Sequence, residues 1–115
     1  DTAVNYRNHR AVAEACRSAN VPPRELVITT KVWPYGQQAV FDAVVAALEE
    51  LDGLGQVVVL LHWPGALPDQ KPAPPAECRL EGRPNDWRRC RAESFLALLA
   101  LRDAGAIAAC GVSNF

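Results

Sequence analysis

Asp1, Tyr6, Lys31 and His62 hold between them the parts for protonating a carbonyl oxygen: a phenol, a cation, a carboxylate to partner the cation, and an imidazole. A free phenol has a pKa near 10 and donates its proton poorly at neutrality. A nearby ammonium favours the phenolate and so eases that transfer, while a carboxylate keeps the ammonium charged and aimed. Assistance of this kind is typically worth ~10²–10⁴-fold in rate. Each of the four also has a plainer reading when taken singly. Lys31 reads as a solvated strand-end lysine, His62 as a hydrogen-bonded core histidine, Tyr6 as an aromatic at a helix entry and Asp1 as a cap. What draws them together is position. Three successive apolar runs each hand over to a polar residue: Leu26-Val27-Ile28-Thr29-Thr30 to Lys31, Val57-Val58-Val59-Leu60-Leu61 to His62, and Ile107-Ala108-Ala109-Cys110-Gly111-Val112 to Ser113-Asn114.

The elements that must position these residues follow from pattern. Residues 9–20 have a helical period with Val12, Ala15, Cys16 and Ala19 on one face, stopped by Val21-Pro22-Pro23. Leu26–Thr30 is short and β-branched, hence a strand. Pro34-Tyr35-Gly36 makes a turn. Residues 38–51 form the clearest helix, with Val40, Ala43, Val44, Ala47, Leu48 and Leu51 inward and Glu49 and Glu50 towards water. Val57–Leu61 shows no polar alternation, which marks a strand buried on both faces of a parallel sheet. Pro64 to Pro84 is rich in proline and polar residues and reads as a long loop. Helix resumes over 91–104, with Ala92, Phe95, Leu96, Leu99 and Ala100 on one side and Gly105 as its C-terminal cap. Ile107–Val112 is the last strand. This alternation predicts right-handed βαβ units and a parallel sheet, with chemistry at the C-terminal ends of the strands.

Half of the 115 residues are hydrophobic and the formal net charge is −1, a globular composition that gives a nucleic acid no basic surface. Arg88-Arg89-Cys90-Arg91 reads as a solvated loop rather than a binding patch. No apolar run approaches the ~20 residues of a membrane span, and no signal-peptide pattern opens the chain. The four cysteines show no metal-ligand spacing, and no metal is expected. Cys16 and Cys110 lie in apolar patterns, where a free thiol acts as a small hydrophobe. Cys78 and Cys90 flank a loop and can pair under oxidation. Unpaired thiols in a reducing compartment, the cytoplasm, is the favoured reading. The chain opens on Asp1 and contains no methionine, so it reads as processed or as a piece of a longer protein.

Asp1-Thr2-Ala3 with Tyr6 and Asn8, Thr29-Thr30-Lys31-Val32-Trp33, Leu61-His62-Trp63-Pro64 and Gly111-Val112-Ser113-Asn114-Phe115 resemble the successive signatures of the aldo-keto reductase family, in order and from one end of the chain to the other. The resemblance implies an α/β fold, part of a (β/α)8 TIM barrel of parallel strands alternating with helices. It implies a single partial domain over 1–115 with a loop insertion at about 64–86. It also implies reduction of aldehydes or ketones to alcohols by hydride transfer from NADPH, the preference over NADH being a family expectation. Tyr6 would be the general acid, Lys31 its neighbour, Asp1 the partner of Lys31, and His62 the residue that orients the carbonyl. Ser113 and Asn114 match the residues that hold the nicotinamide carboxamide. Trp33 and Trp63, with His62, match the substrate pocket.

The sequence departs from the family at His9, where a glutamate usually follows, at Val57 in place of an aspartate, and at Phe95 in place of a tryptophan. A (β/α)8 barrel takes ~250 residues; by resemblance this chain runs from the end of the second strand to the fifth. The segments carrying most contacts to the cofactor phosphates lie outside it, in keeping with the absence of a GxGxxG or P-loop, which also argues against a flavodoxin-like sheet with phosphate chemistry. The alternative is a non-catalytic binding or regulatory subunit of the same family, against which the four catalytic residue types argue. The expected partner is a small carbonyl compound, with no nucleic acid and no membrane. Substrate identity and oligomeric state are left open.

Overall fold

The computed structural model describes residues 1–65, 73–78 and 86–115. Strands β1 (Val27–Val32), β2 (Gln56–Leu61) and β3 (Ala109–Val112) form one parallel sheet in chain order. Helix α1 (His9–Ser18) precedes β1, α2 (Gln37–Leu51) joins β1 to β2, and α3 (Asp86–Asp103) joins β2 to β3. Thr2 extends the free edge of β1 by donating its N–H to the Thr29 carbonyl at 2.8 Å. The alternation expected from the sequence is the arrangement formed: a three-stranded arc of an α/β barrel.

Register decides which residues can meet. Lys31 lies beside Leu60, and Leu60 beside Gly111. Side chains alternate across a strand, so Ile28, Thr30 and Val32 of β1 face the helices with Val57, Val59 and Leu61 of β2. These pack on Val40, Val44 and Leu51 of α2 and on Ala97, Leu98 and Leu101 of α3. Burying each large aliphatic side chain stabilises by ~1.5–3 kcal/mol before entropy is counted. The other parity, Lys31 with Leu60 and Gly111, turns to the opposite face. β2 is therefore not buried equally on both faces, as its unbroken apolar run suggested. Val57, Val59 and Leu61 are fully covered, whereas Val58 and Leu60 are half-buried.

Several sequence expectations shift. Lys31 belongs to β1, which runs two residues beyond Thr30. β3 begins at Ala109, with Ile107 buried just before it. The buried stripe of α1 is His9 and Ala13 with Cys16 beside them, while Ala15 and Ala19 are exposed. Alanine recurs too often in this helix for apolar spacing to single out one face, and His9 is drawn inward by polar partners. His9 Nε2 lies 2.7 Å from Thr30 Oγ1, and Nδ1 lies 3.5 Å from Glu50 Oε2. Glu50 is accordingly turned towards α1 rather than left in water. Burial lowers the His9 pKa below 6.5 although the Glu50 carboxylate pulls it upward.

The face of α3 also differs. Cys90, Ser94, Ala97, Leu98 and Leu101 are buried, while Leu96 is 61% exposed and Ala92 and Ala100 face solvent. A buried serine hid this stripe from a count of apolar residues. Ser94 is satisfied on both sides: its hydroxyl donates to the Cys90 carbonyl at 2.6 Å and accepts the Gly36 N–H at 2.9 Å. The helix begins five residues before the expected start, so Arg88–Arg91 is helical rather than a loop. Cys90 is joined to Cys78 in a disulfide, where unpaired thiols were favoured. A single turn of 3-10 helix, Ala76–Cys78, packs on α3 and buries both sulfurs. The rest of the expected 64–86 loop, residues 66–72 and 79–85, lies outside the described residues. Cys16 and Cys110 are free and half-buried, as expected.

Gly55 makes the close join between α2 and β2. Its φ is +74°, and a Cβ there would sit 2.8 Å from the backbone oxygen of Leu26. Gly105, at φ +75°, ends α3: the Ala106 N–H reaches back to the Leu101 carbonyl at 2.9 Å, the long return bond of a Schellman cap.

Candidate active site

The strand ends carry the predicted residues to one rim. Lys31 faces away from the helices near the end of β1, only 10% of its side chain exposed, and its Nζ is held by two oxygens. It donates to Asp1 Oδ1 at 2.5 Å and to the Thr2 carbonyl at 3.0 Å. The segment that brings Asp1 there is pinned at both ends. Thr2 is fully buried, pairs with β1 through its N–H, and donates its hydroxyl to Asn8 Oδ1 at 2.6 Å. Asn8 is the residue at which α1 starts. Between them, Val4–Tyr6 makes a 3-10 turn closed by Arg7 at φ 55°, which sets Tyr6 over the strand ends.

Tyr6, half exposed, lies with its ring over Lys31; Nζ is 5.4 Å from the ring centroid. The contact is ammonium to aromatic face, a cation–π arrangement. His62 meets the Tyr6 ring edge-on, centroids 5.9 Å apart and planes at 79°. On its other side His62 lies against Trp33, at 4.9 Å and 21°. Trp33 in turn stacks on Tyr35 at 6.4 Å, and Trp63 lies 6.3 Å from His62. A phenol, an ammonium and an imidazole are thus bounded by a layer of aromatic rings.

His62 is 7% exposed and its pKa is lowered from 6.5, first by burial and then by the Lys31 charge. At neutral pH its ring is uncharged, with one nitrogen a donor and the other an acceptor. His62 Nδ1 and Trp33 Nε1 are buried without a hydrogen-bond partner among the described residues. Buried polar atoms are nearly always paired, and these two, in one stack, are free to hydrogen-bond a further polar group.

β3 delivers the last pair. Ser113 donates its N–H to the Leu61 carbonyl at 2.9 Å. Asn114, left-handed at φ 57°, donates from Nδ2 to the His62 carbonyl at 2.7 Å and to Ser113 Oγ at 3.0 Å. All eight predicted positions therefore converge: Asp1, Tyr6, Lys31, His62, Trp33, Trp63, Ser113 and Asn114. Sequence reasoning missed Thr2 as a ligand of Lys31, Tyr35 as the outer ring of the stack, and Ser94 as the tie between α3 and the Trp33 loop. Tyr35 had a signal in the Trp33-Pro34-Tyr35 spacing. The other two act through a backbone oxygen and a buried hydroxyl, which leave no pattern.

A cavity of about 670 Å³ lies at the other end of the strands, lined by Leu51, Gly55, Gln56, Ile107 and neighbours, with no titratable side chain. It holds none of the chemistry. Among the described residues no group of histidine, cysteine, aspartate or glutamate side chains is placed to bind a metal, and no helix is long and apolar enough to cross a membrane.

Comparison with known proteins matches the geometry. Residues 1–115 match the model of the Aldo/keto reductase family. The chain is 32% identical over 118 residues to 2,5-diketo-D-gluconic acid reductase B of Corynebacterium sp. (strain SHS752001), covering 100% of itself and 35% of that protein. It is 42% identical over 69 residues to 9,11-endoperoxide prostaglandin H2 reductase of Trypanosoma cruzi, covering 56% of itself and 24% of that protein. Among solved structures, it superposes over its whole length on 37% of the aldo/keto reductase of Brucella melitensis, with a TM-score of 0.73 and 26% identity. It also superposes on 35% of a Bombyx mori aldo-keto reductase in complex with NADP, with a TM-score of 0.70 and 28% identity. The chain spans between a quarter and about a third of the length of these curated relatives.

Proposed function

Since this chain belongs to the aldo/keto reductase family, we propose that the protein carrying it reduces aldehyde or ketone carbonyls to alcohols with NADPH. One observation carries this reading. The Lys31 ammonium is clamped by Asp1 directly beneath the Tyr6 ring, with an uncharged His62 at the edge of that ring. Tyr6 gives the phenolic proton to the carbonyl oxygen. Lys31 offsets the negative charge left on the phenolate, and Asp1 and the Thr2 carbonyl hold Lys31 in place. His62 hydrogen-bonds the same carbonyl oxygen and orients it, a role that a neutral imidazole fills without adding a second cation beside Lys31. Trp33 and Trp63 exclude water from the substrate.

Ser113 and Asn114 suit a nicotinamide carboxamide: a hydroxyl and an amide stand side by side, and the Asn114 amide NH2 is committed to the His62 carbonyl and Ser113 while its oxygen remains to accept a bond. When bound, the dihydronicotinamide supplies the hydride. A solved relative described in complex with NADP supports the choice of the phosphorylated cofactor. A cytoplasmic location belongs to the same proposal, although the Cys78–Cys90 bridge weighs against a reducing compartment.

Absorbance at 340 nm, followed with NADPH and methylglyoxal or 2,5-diketogluconate, tests the reading on the intact gene product. Carbonyl-dependent loss of NADPH that Tyr6→Phe abolishes supports it. Equal rates in the two proteins overturn it.

A further inference from the structure

Arg91 sits in the first turns of α3, and neither the proton transfer nor the carboxamide contact uses it. Its guanidinium lies over two rings, with Cζ 4.8 Å from the Trp87 centroid and 5.8 Å from that of Phe115. From that position Nη1 donates to the Pro64 carbonyl at 3.4 Å. Pro64 is two residues beyond His62, and Phe115 is one residue beyond Asn114. A single half-buried side chain therefore touches both rim loops, the one leaving β2 and the one leaving β3. Those loops are joined a second time by the Asn114 amide on the His62 carbonyl. Only a guanidinium does this from one place, because its plane stacks on rings while its edge still donates. Lysine keeps the charge and a donor but has no plane.

We infer that Arg91 is a positioning residue, a clamp that fixes the distance between His62 and the Ser113-Asn114 pair. It rests on the reading of the site given above. In that reading His62 orients the carbonyl and Ser113-Asn114 hold the hydride donor, so the clamp sets how closely the two reactants meet. Alignment of that kind acts on turnover more than on affinity. The charge run Arg88-Arg89-Cys90-Arg91 thereby divides by burial: Arg88 and Arg89 are exposed, and Arg91 alone of the three is half-buried.

The test uses the intact protein with Arg91→Met, which keeps an apolar stem, and Arg91→Lys, which keeps charge and donor. Two readouts are taken: the NMR resonances of the His62 ring and the Asn114 side-chain amide, and kcat and KM for methylglyoxal with NADPH. Arg91→Met is expected to move both sets of resonances and to lower kcat about tenfold, with KM changed less than about twofold and the unfolding midpoint little altered. Arg91→Lys is expected to recover part of kcat and to shift the same resonances in the same direction by less. Wild-type resonances in Arg91→Met would overturn the inference, as would a fall in kcat that merely follows a fall in the unfolding midpoint. If Arg91→Met does not fold, Arg91→Lys decides on the same resonances. If the wild-type protein turns over no carbonyl, the proposed reaction fails by itself, and the resonances still decide the role of Arg91.

Discussion

His62 lies flat against Trp33, ring centroids 4.9 Å apart, so the imidazole at the centre of the site is held by a neighbour that offers it no hydrogen bond. Stacking fixes the plane of the ring while leaving its nitrogens for something else. Trp33→Ala should therefore free the imidazole to tilt and to hydrate. The expected outcome is a His62 pKa that returns towards 6.5, read by NMR titration, together with a loss of carbonyl turnover larger than the loss of NADPH binding.

The charge of Lys31 is the second cause of the lowered His62 pKa. Lys31→Met should raise that pKa, but only in part, because burial is the first cause and stays. An NMR titration of His62 in the variant checks this; an unchanged midpoint would show that the two groups do not sense each other.

His9 and His62 both have pKa values depressed below 6.5 in the folded chain. In the unfolded chain both take up a proton near 6.5, so between that value and the folded value the unfolded state binds more protons. Stability from these two groups is fully present above pH 6.5 and is lost as pH falls through the folded values. Urea midpoints measured from pH 8 to pH 4.5 should decline below 6.5, and less steeply in His9→Gln, which keeps a polar partner for Thr30.

Tyr6→Phe should reduce carbonyl turnover by ~10²–10⁴-fold. Tyr6 is half exposed and sits on a 3-10 turn, so removing its hydroxyl leaves the core untouched. Thermal unfolding of the variant should overlay the wild type, which separates chemistry from folding.

Gly55→Ala places a methyl 2.8 Å from the Leu26 oxygen at a φ of +74°. Clash and strained φ together should cost ~1–3 kcal/mol, read as a lower urea midpoint. Gly53→Ala is the control, since a Cβ there meets nothing within 4 Å and only the φ of +69° opposes it. It should lose less.

The order of helices and strands was legible because proline and glycine punctuate it and because β-branched runs are short. The placing of Lys31, His62 and Ser113-Asn114 along one rim was legible for a related reason: a polar residue that ends an apolar strand has few places to go but the rim. The faces of α1 and α3 were not. In α1, alanine is nearly neutral between core and water and cannot mark a face. In α3, Ser94 is buried because two backbone groups 58 residues or four residues away satisfy it, and no local pattern encodes that. The Cys78–Cys90 bridge was half legible: the sequence singled out these two as able to pair, but free thiols were favoured, and only the Cα separation of 5.7 Å decides for the bridge.

Strand parity has a consequence for how this protein can change. Along β1 and β2 the residues that face the helices and those that face the rim interleave one by one, and no side chain serves both. Substitutions at Ile28, Val32, Val59 or Leu61 bear on stability, while those at Trp33 and Trp63 bear on the setting of the His62 ring. The two traits are separately adjustable as long as no residue is gained or lost within a strand. A single-residue deletion in β2 would exchange the two populations at a stroke, sending His62 into the helix layer and Leu61 out to the rim.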